Sequence, residues 1–242
     1  MTLEQAVPGL RNSPAGPIFA IADNIFDLTG PGNGAAVEIL NDQSQQVIRE
    51  IKAIDPTWHY EGLGPVETVE GNINKLNELR FTRAAVLLRV RQDIGPLQVE
   101  TLRFIQERTD KAYDRGVELL RTGKLKIRLS EQEALGNYID REVRGELRER
   151  YNQAGIDSAA KGPVRVNRRE DDSSGTDLTY RRPDARAGNI AYDVTLTRKT
   201  LQTPQVRGFF NADFRPSSVV IIRPRQLGAE SSYVISRPET KR

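Results

Sequence analysis

Apolar residues recur every three or four positions through the first half of the chain, then every second position or in unbroken runs through the last third. Val37, Leu40, Val47, Ile48 and Ile51 share one helical face, and Pro56 closes that helix. Ile73, Leu76, Leu79, Phe81, Leu87 and Leu88 mark a second helix that stops at Gly95-Pro96. Leu102, Ile105, Tyr113, Val117 and Leu120 mark a third, ended by Gly123, where a left-handed cap is easily adopted. Three helices with such punctuation predict a small N-terminal bundle without a site. Trp58, His59 and Tyr60 fall in its first connection, where amphipathic rings are expected to anchor a packed loop.

The period changes after Leu129. Ser130 and Glu133 form a Ser-x-x-Glu capping box, and Leu135, Ile139, Val143, Leu147 and Tyr151 then repeat every fourth residue until Gly155. Short β-type runs follow: PVRV from Pro163, DLTYRR from Asp177 and IAYDVTLT from Ile190. TPQVRGFFNA reads as a helix with Pro204 in its first turn, and SSVVIIRP and SSYVISRP read as two further strands. Val219 to Ile222 are continuously apolar, as in a strand covered on both faces. The predicted fold class is α+β: a helical bundle over residues 1–124, then a 125–242 domain ordered helix, three strands, helix, two strands.

Composition removes several chemistries. The chain has no cysteine, so disulfide scaffolds, thiol nucleophiles and cysteine zinc sites are excluded, and His59 is the single histidine, so no site can use two imidazoles. The longest apolar stretch, from Pro17, is broken by Asp23 and Asn24, which predicts no stable membrane span, and it lacks the flanks of a signal peptide. Net charge is +3, unevenly placed: residues 1–129 carry 16 basic and 17 acidic side chains, residues 164–242 carry 15 basic and 9 acidic. A C-terminal basic excess is what binding to a polyanion requires.

The remaining chemistry centres on RRPDARAGNIAYDVTLTRK, Arg181 to Lys199, which sets Asp184 and Asp193 on either side of a turn-like segment. Two carboxylates on adjacent strands can hold a hard divalent cation, expected to be Mg²⁺, and such cations assist phosphodiester cleavage. Strand alternation puts Asp193, Thr195 and Thr197 on one face and Tyr192, Val194 and Leu196 on the other. Asp177 is an alternative metal ligand. Arg181, Arg182, Arg186 and Arg198, with Arg165, Arg168 and Arg207, form the pool for phosphate contacts.

This element order, with Pro183-Asp184 ending the second predicted strand and Asp193-Val194-Thr195 within the third, resembles the PD-(D/E)XK, or restriction-endonuclease-like, nuclease fold over about Ser130 to Arg237. The resemblance implies that Asp184 and Asp193 are metal ligands and that a lysine two positions after Asp193 assists catalysis. Thr195 stands there instead. The nearest lysine, Lys199, would lie roughly 20 Å from Asp193 along an extended strand, so it can serve only if the strand ends early and the chain turns back. An acidic residue of the first core helix often completes such sites; Glu142, Glu146 and Glu149 are the candidates, Glu146 foremost.

The two-part organisation is similar to the C-terminal region of contact-dependent growth inhibition and related polymorphic bacterial toxins, in which one domain mediates passage into the target-cell cytoplasm and the last is the toxin. Members with Pro-Asp followed by a DxT strand resemble those that cleave tRNA. A cognate immunity protein and secretion as part of a larger exoprotein are implied. A DNase with the same site, and a binding module without catalysis, stand beside this expectation.

Overall fold

A computed structural model of the chain describes residues 33–61, 66, 68–173, 180–228 and 231–239. Contacts divide it into two units, one running to Glu100 and the other from Thr101 onward, with the division inside a helix.

In the first unit, helix α1 (Asn33–Ile54) packs on α2 (Val69–Arg91). The predicted apolar stripes meet in part: Leu40, Val47, Ile48 and Ile51 of α1 bury against Leu76 and Leu79 of α2, joined by Val86, whereas Leu87 and Leu88 are half-buried. Trp58 packs against this cluster from the connection, and its ring stacks on Tyr60 at 5.9 Å. Helix α2 stops earlier than Gly95-Pro96. Gln92 takes a left-handed conformation (φ 57°) and its N–H closes the last turn on Leu87 and Leu88 carbonyls. Gly95-Pro96 instead opens α3 (Gly95–Arg121), which crosses the division between units. Gly123, at φ 67°, terminates it.

The second unit is α+β. Helix α4 (Glu131–Gln153) is capped as the sequence indicates, with Ser130 Oγ accepting from the Glu133 N–H, while the Glu133 carboxylate reaches back to the Leu129 N–H. Strands β1 (Val164–Val166), β2 (Ala185–Ala187) and β3 (Ile190–Val194) form an antiparallel meander. Helix α5 (Pro204–Asn211) then carries the chain over to β4 (Ser218–Ile222), parallel to β3, and β5 (Tyr233–Ser236) returns antiparallel. The sheet order β1-β2-β3-β4-β5 makes it a mixed sheet with β3 at its centre. Val206, Phe209 and Phe210 of α5 cover Ala191, Val219 and Ile221. Leu135, Ile139, Val143, Leu147 and Tyr151 of α4 are buried, as are Tyr192, Val220 and Ile222, the alternate residues of β3 and β4.

The strands depart from the sequence-based pattern in two places. Of DLTYRR, residues 177–179 lie outside the described residues, Arg181 makes an isolated bridge with Glu170, and the strand between β1 and β3 is Ala185–Ala187. The strand begins after Asp184, so Asp184 precedes β2 and does not end it. Strand β3 is also shorter than IAYDVTLT. Among the described residues, no helix is long and apolar enough to cross a membrane.

Candidate active site

Asp193 lies one residue from the end of the central strand and is only 2% exposed. Its parity with Ala191 turns it toward α5. There the second residue of that helix, Gln205, donates from Nε2 to Asp193 Oδ1 at 2.9 Å. Lys199 Nζ donates to Asp193 Oδ2 at 2.6 Å and to Gln205 Oε1 at 2.6 Å, so the three side chains form a closed ring.

Lys199 reaches Asp193 because β3 ends at Val194 and the chain folds back. Thr195 Oγ1 accepts from the Thr197 N–H, and Thr203 Oγ1 accepts from the Thr200 N–H, which tightens the returning segment at both ends. Tyr233 of β5 clasps its middle. The phenol oxygen accepts from the Lys199 N–H and donates to the Lys199 carbonyl, both at 2.6 Å. Thr195 therefore stands at the cleft with its hydroxyl bound to the turn, and the ammonium in contact with Asp193 is that of Lys199.

The β2–β3 register pairs Ala185 with Tyr192, which carries Asp184 opposite Asp193. Asp184 Oδ2 accepts from the Val194 N–H at 2.7 Å. Burial, then the charges of Asp193 and Asp140, push the Asp184 carboxyl well above its ordinary range, and the Val194 N–H offsets this only in part. Asp193 is raised as well, by burial first; Lys199 pulls it down and Asp140 adds to the rise.

Asp140 of α4 is the acidic residue that helix periodicity did not single out. It sits one position after the buried Ile139, lines the cleft, and is ion-paired with Arg144 one turn on. Its Oδ1 is buried without a hydrogen-bond donor, and it meets Asp184 carboxyl to carboxyl, a contact that becomes a hydrogen bond only when one of the two keeps its proton. Asp140, Asp184, Asp193, Thr195, Lys199 and Gln205 all border one open cleft of about 500 Å³.

The other sequence candidates lie elsewhere. Glu146 pairs with Arg108 at 3.1 Å and does not line the cleft; Glu142 pairs with Arg141 and Glu149 accepts from Gln153. Asp177 lies outside the described residues. Arg186 and Arg165 both bind Glu170 Oε2, at 3.0 and 2.9 Å, and Arg186 also covers the Phe214 ring. Arg181 lies so close to Gly208 that a Cβ there would fall 1.8 Å from its Nε. Arg182 stacks on Tyr180 at 5.0 Å and Arg198 on Tyr233 at 5.8 Å.

The donor chemistry of the cleft suits a hard divalent cation. It gathers three aspartates among hydroxyl and amide oxygens, two of these acids resist ionisation where they stand, and Asp140 keeps a buried oxygen without a donor. A cation would relieve all three features. As placed, both Asp193 oxygens are engaged by Lys199 and Gln205, and among the described residues no group of three or more His or acidic side chains is arranged to hold a metal ion.

Comparison with protein-family models, with curated proteins and with solved structures finds no match for the chain.

Proposed function

We propose that the C-terminal unit is a divalent-cation-dependent phosphodiesterase of the PD-(D/E)XK type that cleaves RNA, with tRNA the favoured substrate. One observation carries this reading: Asp184, Asp193 and Lys199 border a single cleft, with the ammonium of Lys199 2.6 Å from Asp193 although the two stand six positions apart in sequence. A helix, a three-stranded meander, a crossover helix and a parallel fourth strand support it.

Asp184 and Asp193, with Asp140 beside them, would hold the cation, which supplies Lewis-acid stabilisation of charge developing on the phosphoryl oxygens. Lys199 presents N–H donors to a non-bridging oxygen of the scissile phosphate and stabilises the negative charge that grows there. Gln205 and Tyr233 keep that ammonium and its peptide in place. Asp184 is held by the Val194 N–H on one oxygen and meets the Asp140 carboxyl, which fixes its place at the border of the cleft.

By the same resemblance, we read the chain as the C-terminal part of a secreted bacterial toxin. Residues 1–124 would mediate passage into the target-cell cytoplasm, residues 125–242 would cut RNA there, and a cognate immunity protein would close the cleft. The engagement of both Asp193 oxygens favours a second reading, a nucleic-acid-binding module without catalysis.

The test is incubation of the protein, Asp193→Ala and Lys199→Ala with total RNA and with plasmid DNA, in Mg²⁺ and in chelator. Cleavage confined to tRNA, absent in chelator and lowered about 100-fold or more by either substitution, is the expected result. Cleavage of plasmid alone moves the substrate to DNA. No cleavage of either by folded protein overturns the hydrolytic reading.

A further inference from the structure

Asp140, Arg144 and Arg148 stand four residues apart on α4, in a row beside its buried stripe. The row begins at the cleft, which Asp140 borders, and runs along the helix axis, so Arg144 and Arg148 lie about 6 and 12 Å from Asp140. A second element reaches the same end of the cleft. The residue after β1, Asn167, turns the chain with φ 49° and donates its N–H to the Asp184 carbonyl at 3.0 Å, which docks the turn at the residue preceding β2. Arg168 follows immediately. Arg148 and Arg168 are exposed, and Arg144 is committed to Asp140.

We infer that Arg148 and Arg168, with Arg144 behind them, form a phosphate-binding ridge that leads a nucleic-acid strand to the carboxylates from the Asp140–Asp184 end of the cleft. The three guanidiniums are close enough to act on one another. Although the residue is exposed, partial desolvation of its guanidinium, then the charges of Arg144 and Arg168, lower the basicity of Arg148, with Asp140 opposing them. Like charges held together on a surface are relieved by an anion, and a backbone phosphate presents one at each nucleotide. The ridge differs from Arg165 and Arg186, whose charges are turned inward to Glu170. It rests on the phosphodiesterase reading only for its direction, since it identifies where the flanking backbone of the strand lies.

Binding of a short fluorescein-labelled single-stranded RNA, and of the DNA of the same sequence, is measured by anisotropy in chelator between about 50 and 200 mM salt. The Arg148→Ala/Arg168→Ala double variant is expected to bind roughly tenfold more weakly at the low-salt end and to flatten the log–log salt slope by about 1.4, the share of two phosphate contacts on a single strand. Arg121→Ala, which removes another exposed charge, at the end of α3, should leave both unchanged, and Arg148→Lys/Arg168→Lys should restore most of the slope. An unaltered slope in the alanine pair, or failure of the wild type to bind either strand, overturns the ridge. Cleavage is scored separately: normal cutting with an unaltered slope removes the ridge and keeps the phosphodiesterase, whereas a lowered slope in a protein that cuts nothing keeps the ridge and removes the phosphodiesterase.

Discussion

The second unit buries acids in two places, and the two are built on opposite principles. Glu170 gives a single oxygen to two guanidiniums, Arg165 and Arg186, so cations outnumber the acid. Around the cleft, three aspartates gather with Lys199 and Arg144, and Asp184 is answered by a backbone N–H. The first arrangement has cation in excess of acid, although Glu170 Oε1 and Arg165 Nε stay buried without partners, and it joins β1 to β2 through their side chains. The second leaves anionic charge that the fold itself does not neutralise, which is what the proposed cation would answer. Burial pushes the acids up in both places. Around Glu170 the opposing influence is a pair of arginines, whereas around Asp184 the neighbouring acids add to the rise.

Removing one acid from each cluster should therefore have opposite effects on stability. Glu170→Ala leaves Arg165 and Arg186 buried without their carboxylate and is expected to destabilise the unit by about 3–5 kcal/mol, measured by urea denaturation. A loss below about 1 kcal/mol would show that the triplet is not what joins those strands. Asp184→Asn should do the reverse. Because the folded pKa values of Asp184 and Asp193 are raised, the unligated protein keeps their contribution to stability below the ordinary value of 3.8 and loses it as pH rises through the raised values. Near pH 8 in chelator, Asp184→Asn, which can still accept from the Val194 N–H, should melt above wild type, by about 2–4 °C for each kcal/mol regained. A variant that melts at or below wild type there would contradict the charge imbalance. The smallest effect is expected from Tyr233→Phe. Loss of the two bonds to the Lys199 peptide should cost about 1 kcal/mol of stability and roughly tenfold in cleavage, with KM little changed. Equal cleavage by this variant would show that the returning segment holds Lys199 without its clasp.

Much of this arrangement could be read from residue order alone, and the parts that could not have identifiable physical causes. Helical stripes were visible because each repeats over four or more turns; Ser130, Gly123 and Pro204 mark termini through local backbone chemistry. Asp193 stood out as a carboxylate inside an apolar strand. The strand at Ala185–Ala187 was not legible because two alanines and an arginine carry little β propensity, while actual pairing depends on partners that propensity does not name. Asp140 was hidden for another reason. It flanks the apolar stripe as Glu142 and Glu146 do, and only the position of the sheet decides which flank meets β3. Gln205 carries no signal of its own, since a polar residue in the first turn of a helix is ordinary; its role comes from where α5 begins.

The fold-back between Val194 and Pro204 turns a sequence interval into an adjustable ruler. A motif defined by a fixed gap assumes that both residues ride on one straight strand, so that the count between them measures distance. Here the strand stops after Asp193-Val194 and a loop fastened to Tyr233 brings the ammonium home from six positions away. Reach is then set by where the strand lets go and where the tyrosine takes hold, and the residue at 195 is free to be threonine.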